Sequence, residues 1–201
     1  MTDTALVPEP ALFARLDRIA ALAPSERARF AIQLRSPDLS IRQLASLGRR
    51  LRARTLAIGV RLFINDRLDL AGLLSADGIH LGRRSLGIAD ARAFLAKGAF
   101  VSVACHSVDE VVAAAREGAT ACTLSPIFSS SGKGSPIGTE ALREARSRLL
   151  EEGLDLGIVA LGGLDDSRAP STLSLGADGV AVIRAEIDPA LLFAPRSRET
   201  S

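Results

Sequence analysis

Residues 62–82 constrain the fold of this chain more than any other stretch, and they read LFINDRLDLAGLLSADGIHLG. Two short apolar runs stop abruptly at polar residues, the first at Asn65 and the second around His80. Apolar residues at helical spacing lie between the runs, so the pattern predicts a strand, a helix and a second strand. Ligands of α/β proteins bind at the carboxyl ends of the strands. The same stretch therefore indicates where chemistry is to be sought.

This alternation recurs along the whole chain. Apolar runs of strand length lie at 30–34, 62–64, 78–81, 100–103, 121–124, 156–161 and 179–183. Amphipathic helical patterns separate them, at 10–22, 39–51, 88–95, 108–116 and 139–150. Strands that alternate with helices and are buried on both faces predict a parallel sheet.

A (β/α)8 TIM barrel is the fold class that this pattern favours. A doubly wound open sheet is the alternative, but no Gly-x-Gly-x-x-Gly follows a predicted strand. Only seven strands are visible, and residues 1–3 read as the end of a first strand that is largely missing at the N-terminus. We expect a single barrel domain over 1–194 and a polar tail over 195–201.

Composition excludes several classes of protein. The chain has 201 residues, no Trp or Tyr, and a net charge of +2, which argues against a nucleic-acid partner. Neither a signal peptide nor an apolar run approaching ~20 residues is present, so we expect a cytoplasmic protein that does not insert into membranes. Cys105 and Cys122 are expected to be buried and reduced. The oligomeric state stays open, with a homo-oligomer among the alternatives.

Polar residues collect where the predicted strands end. They are Gln33, Arg35, Asn65, Asp66, His80, Arg83, Arg84, His106, the loop 125–133, the pair Gly162-Gly163, and residues 183–185. Guanidinium groups, a lysine, hydroxyls and glycine amides together predict an anion site. Each residue also has a purely structural interpretation: Asn65-Asp66 as a helix cap, His80 as a core histidine, and the glycine pair as a tight turn.

The chain resembles the thiamine phosphate synthase/TenI family. The motifs that carry the resemblance lie at 2–3, 33–35, 64–67, 78–82, 106–107, 126–133, 136–138, 160–164 and 176–183. The resemblance implies a (β/α)8 barrel. It also implies a transferase of thiamine biosynthesis that joins hydroxymethylpyrimidine pyrophosphate to thiazole phosphate, releases pyrophosphate and uses Mg²⁺. TenI members instead tautomerise a thiazole carboxylate phosphate.

The resemblance also implies a role for individual residues. Gln33 contacts the pyrimidine, and the pyrophosphate is held by Arg35, Asn65 and Lys133. Asp66 is the Mg²⁺ ligand. The thiazole phosphate is bound by Ser130 and by the amides of Gly163, Ile183 and Arg184. In the tautomerase alternative, His106 is the general acid–base.

Departures from the family pattern fall in the reacting part of the site. Pro37 replaces a basic residue, Ser85 a second Mg²⁺ carboxylate, and Ala104, Gly132 and Arg184 replace serine or hydroxyl positions; Pro126 stands where the tautomerase has its histidine. One remaining carboxylate predicts weaker Mg²⁺ binding. The sequence favours the synthase, with a metal-free tautomerase or a non-catalytic phosphate-binding barrel as alternatives.

Overall fold

The computed structural model describes residues 1–129 and 134–193. The predicted ligands Ser130 and Lys133 therefore lie outside the described residues. The chain divides into two compact units. The N-terminal unit comprises residues 1–104 and 117–120, and the C-terminal unit comprises 105–116 and the residues from 121 onward. The prediction of one barrel domain over 1–194 stays a prediction.

The N-terminal unit carries four parallel strands in chain order. They are β1 (Ala31–Leu34), β2 (Arg61–Asn65), β3 (Gly78–Leu81) and β4 (Phe100–Cys105), the last residue of which is assigned to the C-terminal unit. The helices are α1 (Glu9–Ala20), α2 (Pro24–Arg27), α3 (Ile41–Ile58), α4 (Leu68–Leu73) and α5 (Ile88–Phe94). Strand and helix alternate from β1 onward, as the apolar pattern predicted.

Local sequence explains the length of α3, the longest helix of this unit. The Oγ of Ser40 accepts from the Gln43 N–H, and the Gln43 side chain accepts in return from the Ser40 N–H at 3.0 Å. The helix ends at Gly59, whose φ of +73° suits the left-handed C-terminal position. Between these ends, α3 buries Leu51 in a core with Leu16, Leu34 and Leu62, all almost fully buried.

Thr2 lies beside β1, where the sequence predicted the end of a first strand. Its N–H donates to the Gln33 carbonyl at 2.8 Å. Its hydroxyl accepts from the Arg35 N–H and donates to the Arg35 carbonyl, both at 2.9 Å. Residues 1–3 are therefore attached to the outer edge of β1 by backbone and side-chain hydrogen bonds.

The C-terminal unit repeats the same alternation. Its elements are α6 (Val108–Arg116), β5 (Ala121–Leu124), α7 (Glu140–Glu151), β6 (Gly157–Leu161), α8 (Ala169–Ser174), β7 (Gly179–Ala181) and α9 (Pro189–Phe193). Strands β5, β6 and β7 are parallel and paired in order. Leu142 and Leu149 of α7 and Ile158 of β6 are fully buried and belong to the core of this unit. The predicted run 179–183 ends as a strand at Ala181.

No helix among the described residues combines the length and the apolar character needed to cross a membrane.

Candidate functional site

A continuous set of side-chain hydrogen bonds joins the carboxyl ends of β1, β2 and β3. The Nε2 of Gln33 donates to the Oδ1 of Asn65 at 2.9 Å. The Nδ2 of Asn65 donates to the Oδ2 of Asp66 at 2.6 Å, and the Gly82 N–H donates to Asp66 Oδ1 at 3.0 Å. We call Gln33, Asn65, Asp66, Gly82 and Ser85 the strand-end network.

Asp66 is held across the strands and does not cap the following helix. Helix α4 begins at Leu68, and its N-cap position, Arg67, has no side-chain cap hydrogen bond. The Asp66 carboxylate instead accepts from the Ser85 hydroxyl, whose Oγ also accepts from the Gly82 N–H at 2.6 Å. Asp66 adopts a φ of +59°, a conformation that non-glycine residues rarely adopt. The cap interpretation of Asn65-Asp66 is therefore wrong.

Arg35 stands beside this network at the end of β1. One guanidinium nitrogen lies 3.2 Å from the Asp3 carboxylate, which is largely buried. The Arg35 side chain is 38% exposed. Because a guanidinium has five N–H donors and Asp3 takes one of them, the others remain for an anion.

His80 is a core histidine, as its structural interpretation predicted. Its ring is buried, and Nδ1 lies 2.9 Å from the Ser102 Oγ, which in turn donates to the Ile79 carbonyl. Burial lowers the pKa of His80 to about 4, although the nearby Asp66 carboxylate acts in the opposite direction. The ring is therefore neutral at pH 7 and serves as packing beneath the strand-end network.

His106 stands at the carboxyl end of β4, in the C-terminal unit. Its Nδ1 lies 2.7 Å from the Ser125 carbonyl oxygen. Because a carbonyl only accepts, Nδ1 carries the proton, and Nε2 of the neutral ring is left with a lone pair. The His106 N–H donates to the Glu110 carboxylate at 2.6 Å, while the Glu110 N–H donates to the Ser107 Oγ at 3.2 Å. These two bonds form a capping box in which the Glu110 side chain takes the N–H of His106, one residue before Ser107.

Cys105 does not form a nucleophilic pair with His106. Both cysteines are buried, and the hydrogen bond between Cys105 and Cys122, together with burial, raises the pKa of the Cys105 thiol. A thiol held in its protonated form is a poor nucleophile.

Neighbouring backbone comes so close to the two residues after β6 that both must be glycine. Gly162 and Gly163 have φ values of +103° and +63°. A Cβ on Gly162 would lie 2.9 Å from the Pro126 Cα, and one on Gly163 would lie 2.6 Å from the Ser129 carbonyl oxygen. The N–H of Gly163 has no acceptor in the part of the chain that the structure describes. An unpaired amide at a strand end is suited to an anion.

Arg168 fixes the Gly163 peptide from the other side. Its guanidinium donates to the Gly163 carbonyl at 2.6 Å and lies over the Phe128 ring, 4.8 Å from the centroid. Ile183 and Arg184 follow β7 by two and three residues, and β7 is aligned so that Ala181 is opposite Leu161. Gly163 and Ile183 therefore occupy equivalent positions beyond paired strand ends.

Comparison with known proteins decides the family. The family model of thiamine monophosphate synthase matches residues 10–185. The chain belongs to this family. A putative thiamine-phosphate synthase of Geobacter sulfurreducens is 38% identical over 162 residues, which are 79% of this chain and 74% of that protein. The thiamine-phosphate synthase of Moorella thermoacetica is 37% identical over 171 residues, 84% of this chain and 79% of that protein.

A solved structure supports the fold class. The thiamine phosphate pyrophosphorylase from Pyrococcus furiosus is 28% identical, covers 90% of this chain and 82% of its own, and superposes with a TM-score of 0.73. Together with the alternating strands and helices of each unit, this likeness confirms the predicted TIM-barrel class.

Membership of the thiamine monophosphate synthase family raises the question of a magnesium site. Among the described residues there is no group of three or more His, Cys, Asp or Glu side chains that would hold a metal. Asp66 and the Ser85 hydroxyl supply hard oxygen donors, but every hydrogen bond to the Asp66 carboxylate comes from an uncharged group. These donors fit a magnesium ion that takes its other ligands from substrate phosphates and water.

Sequence reasoning missed three contacts of the site: the Ser85 hydroxyl on Asp66, the Asp3 carboxylate on Arg35, and Arg168 on Gly163. Each joins residues from different loops or strands. Of these contacts, the sequence hinted only at the one made by Asp3, because residues 2–3 were predicted to end a strand.

Proposed function

We propose that this protein is a thiamine-phosphate synthase, which joins hydroxymethylpyrimidine pyrophosphate to thiazole phosphate and releases pyrophosphate. The observation that carries the proposal is the strand-end network, with Arg35 beside it, in a chain of the thiamine monophosphate synthase family. An amide, a carboxylate and a guanidinium at adjacent strand ends suit a polar ring that carries a pyrophosphate.

The reaction requires that negative charge be stabilised on the leaving group. The bond between the pyrimidine methylene carbon and the pyrophosphate oxygen breaks, and its electron pair leaves with the pyrophosphate. The thiazole nitrogen then forms the new C–N bond. We assign Gln33 to the pyrimidine and Arg35, Asn65 and Lys133 to the pyrophosphate. Cationic and amide donors aimed at a developing anion are the usual source of such stabilisation.

Asp66 is the proposed magnesium ligand, with Ser85 holding its carboxylate in place. When bound, Mg²⁺ supplies Lewis-acid stabilisation of phosphate oxygens. The residues of the network orient the substrate whether or not the ion is present.

The thiazole phosphate is assigned to the C-terminal unit. Its proposed ligands are Ser130 and the amides of Gly163, Ile183 and Arg184. The Gly163 N–H, which has no acceptor among the described residues, and the positive φ of Gly162 and Gly163 support this assignment. The proposed partners are thus small phosphorylated substrates, and the proposed location is the cytoplasm.

A metal-free thiazole tautomerase is the second candidate, and the orientation of His106 favours it. The Nδ1–H bond to Ser125 leaves Nε2 as the basic nitrogen of the ring. A histidine oriented in this way is suited to act as a general acid–base.

The test is a product assay with purified protein, both synthase substrates and Mg²⁺, run in parallel with the thiazole carboxylate phosphate alone. A synthase forms thiamine phosphate, loses that activity in Asp66→Ala and keeps it in His106→Ala. A tautomerase gives the reverse pattern, independent of Mg²⁺. Binding of thiazole phosphate with neither product would overturn both in favour of a non-catalytic binding protein.

A further inference from the structure

The loop from β3 to α5 carries two arginines with no assigned role. Arg83 and Arg84 are exposed and have no hydrogen bond or ion pair within the described ranges 1–129 and 134–193. Carboxylates pair with ten other arginines, namely Arg35, Arg50, Arg52, Arg54, Arg67, Arg116, Arg143, Arg146, Arg148 and Arg168. Arg83 and Arg84 differ from these ten, and they lie just beyond the carboxyl end of β3.

The backbone on both sides of these arginines is fastened to Asp66. Gly82 immediately precedes them and donates its N–H to Asp66 Oδ1, while Ser85 immediately follows and donates its hydroxyl to the same oxygen. The two arginines are therefore held within two residues of contacts to the carboxylate. No charged group among the described residues donates a hydrogen bond to the Asp66 carboxylate, because its remaining donor is the Asn65 amide.

The charge balance of this loop suits a phosphate anion beside Asp66. Asp66 is the only acidic member of the strand-end network, and the described residues contain no group of three or more His, Cys, Asp or Glu side chains that would hold a metal ion. Two guanidinium groups outweigh that single carboxylate. Guanidinium binds phosphate oxygens in bidentate geometry and keeps its charge at any physiological pH.

We propose that Arg83 and Arg84 bind the pyrophosphate of the substrate and of the product, and so supply charge neutralisation that does not depend on a metal. The proposal rests on the proposed function, because it names two further ligands of the same pyrophosphate. Its consequence is that pyrophosphate binds to this protein without Mg²⁺, and that activity depends less steeply on Mg²⁺ when both arginines are present.

The first experiment is calorimetric titration of the full chain with sodium pyrophosphate in EDTA. The variants are Arg83→Gln, Arg84→Gln and the double variant. The matched control is Arg61→Gln, since Arg61 is also exposed, its side chain has no hydrogen bond or ion pair in the described part of the chain, and it lies at the amino end of β2. We expect affinity to fall by about tenfold for each arginine removed, as for a charged hydrogen bond, with the control within about twofold of the wild type.

Two results would overturn the proposal: wild-type protein that binds no pyrophosphate in EDTA, or a double variant that binds it as well as Arg61→Gln does. Circular dichroism and unfolding midpoints verify that the variants fold. The Arg83→Lys/Arg84→Lys variant keeps the charge without the bidentate geometry, and we expect it to bind with intermediate affinity.

A second measurement separates this proposal from the proposed function. Activity of wild-type and double-variant protein is followed as Mg²⁺ is varied, and the double variant is expected to need several-fold more Mg²⁺ for half-maximal rate. If no thiamine phosphate forms but arginine-dependent pyrophosphate binding persists in EDTA, the proposed function is wrong and the anion site stands. If the product forms and the Mg²⁺ requirement is the same in both proteins, the arginine proposal is wrong and the synthase stands.

Discussion

At the strand ends, one unit presents mainly polar side chains and the other mainly backbone groups. In the N-terminal unit, side chains form the candidate site, with Gln33, Asn65 and Asp66 linked by hydrogen bonds. In the C-terminal unit, the described part of the candidate site is backbone, at Gly162 and Gly163 with positive φ. A site made of side chains is sensitive to the chemical identity of its donors. A site made of backbone is sensitive to any added Cβ. Different substitutions are therefore expected to impair the two sites.

The largest effect is expected from Gly163→Ala. The new Cβ meets the Ser129 carbonyl at 2.6 Å, and the residue must keep a φ of +63°. We expect backbone strain and steric overlap together to lower the unfolding free energy by about 3 kcal/mol and to displace the amide assigned to the thiazole phosphate. Urea denaturation measures the loss of stability. The matched control is Gly153→Ala, at φ +64° with nothing within 4 Å, which is expected to cost about 1 kcal/mol. Equal costs would show that backbone approach does not shape this site.

Asp66→Asn tests the side-chain site with almost no change in shape. The variant loses the only charge of the strand-end network, and we expect kcat/KM for thiamine phosphate formation to fall about 10–100-fold. Asp69→Asn is the control, because Asp69 is exposed and pairs with Arg67 outside the network. A drop in the control as large as that in Asp66→Asn would mean that general loop charge, not this carboxylate, is responsible.

A pH dependence of stability is expected from the histidine beneath the network. The pKa of His80 is about 4 in the folded protein against an ordinary 6.5, so between these values the unfolded chain binds a proton that the folded chain does not. Stability therefore falls as the pH drops from 6.5 towards 4, by about 2 kcal/mol from this group between pH 7 and pH 5.

The check is to compare unfolding free energies of wild-type and His80→Gln protein at the two pH values. The difference between the proteins should narrow at pH 5, because the variant lacks the proton-binding penalty. The control variant His106→Gln should show the wild-type decrease in unfolding free energy between pH 7 and pH 5, because it retains His80. A pH-independent difference between wild-type and His80→Gln protein would contradict the assignment of a buried, neutral ring.

The smallest effect is expected from Arg168→Met. Loss of the bond to the Gly163 carbonyl and of the contact with Phe128 loosens the loop without removing the amide. We expect KM for thiazole phosphate to rise about three- to tenfold with kcat nearly unchanged. The control is Arg143→Met, whose partner Glu140 lies one turn away on the same helix. An equal rise in KM for the pyrimidine substrate would contradict a role confined to the C-terminal unit.

Sequence reasoning performed best where structure is local. The strands and the main helices of the described residues follow from apolar spacing. It did less well at boundaries. The run predicted as a strand over 179–183 forms a strand only as far as Ala181, because the end of a strand depends on the neighbouring segments.

The sequence by itself determined the alternation of strands and helices, the edge of the sheet where polar residues collect, and the family. These features repeat with a fixed period or lie within a few residues of each other, so no knowledge of folding is needed to see them. Only the tertiary structure decided which groups those polar residues contact. Asp66 reads as a helix cap until Ser85, 19 positions away, is found on its carboxylate. In the same way, only the structure shows that the Arg35 guanidinium donates to the carboxylate of Asp3, 32 positions away. Such contacts depend on the register of parallel strands, which sets the side chains that meet and leaves no trace in local spacing.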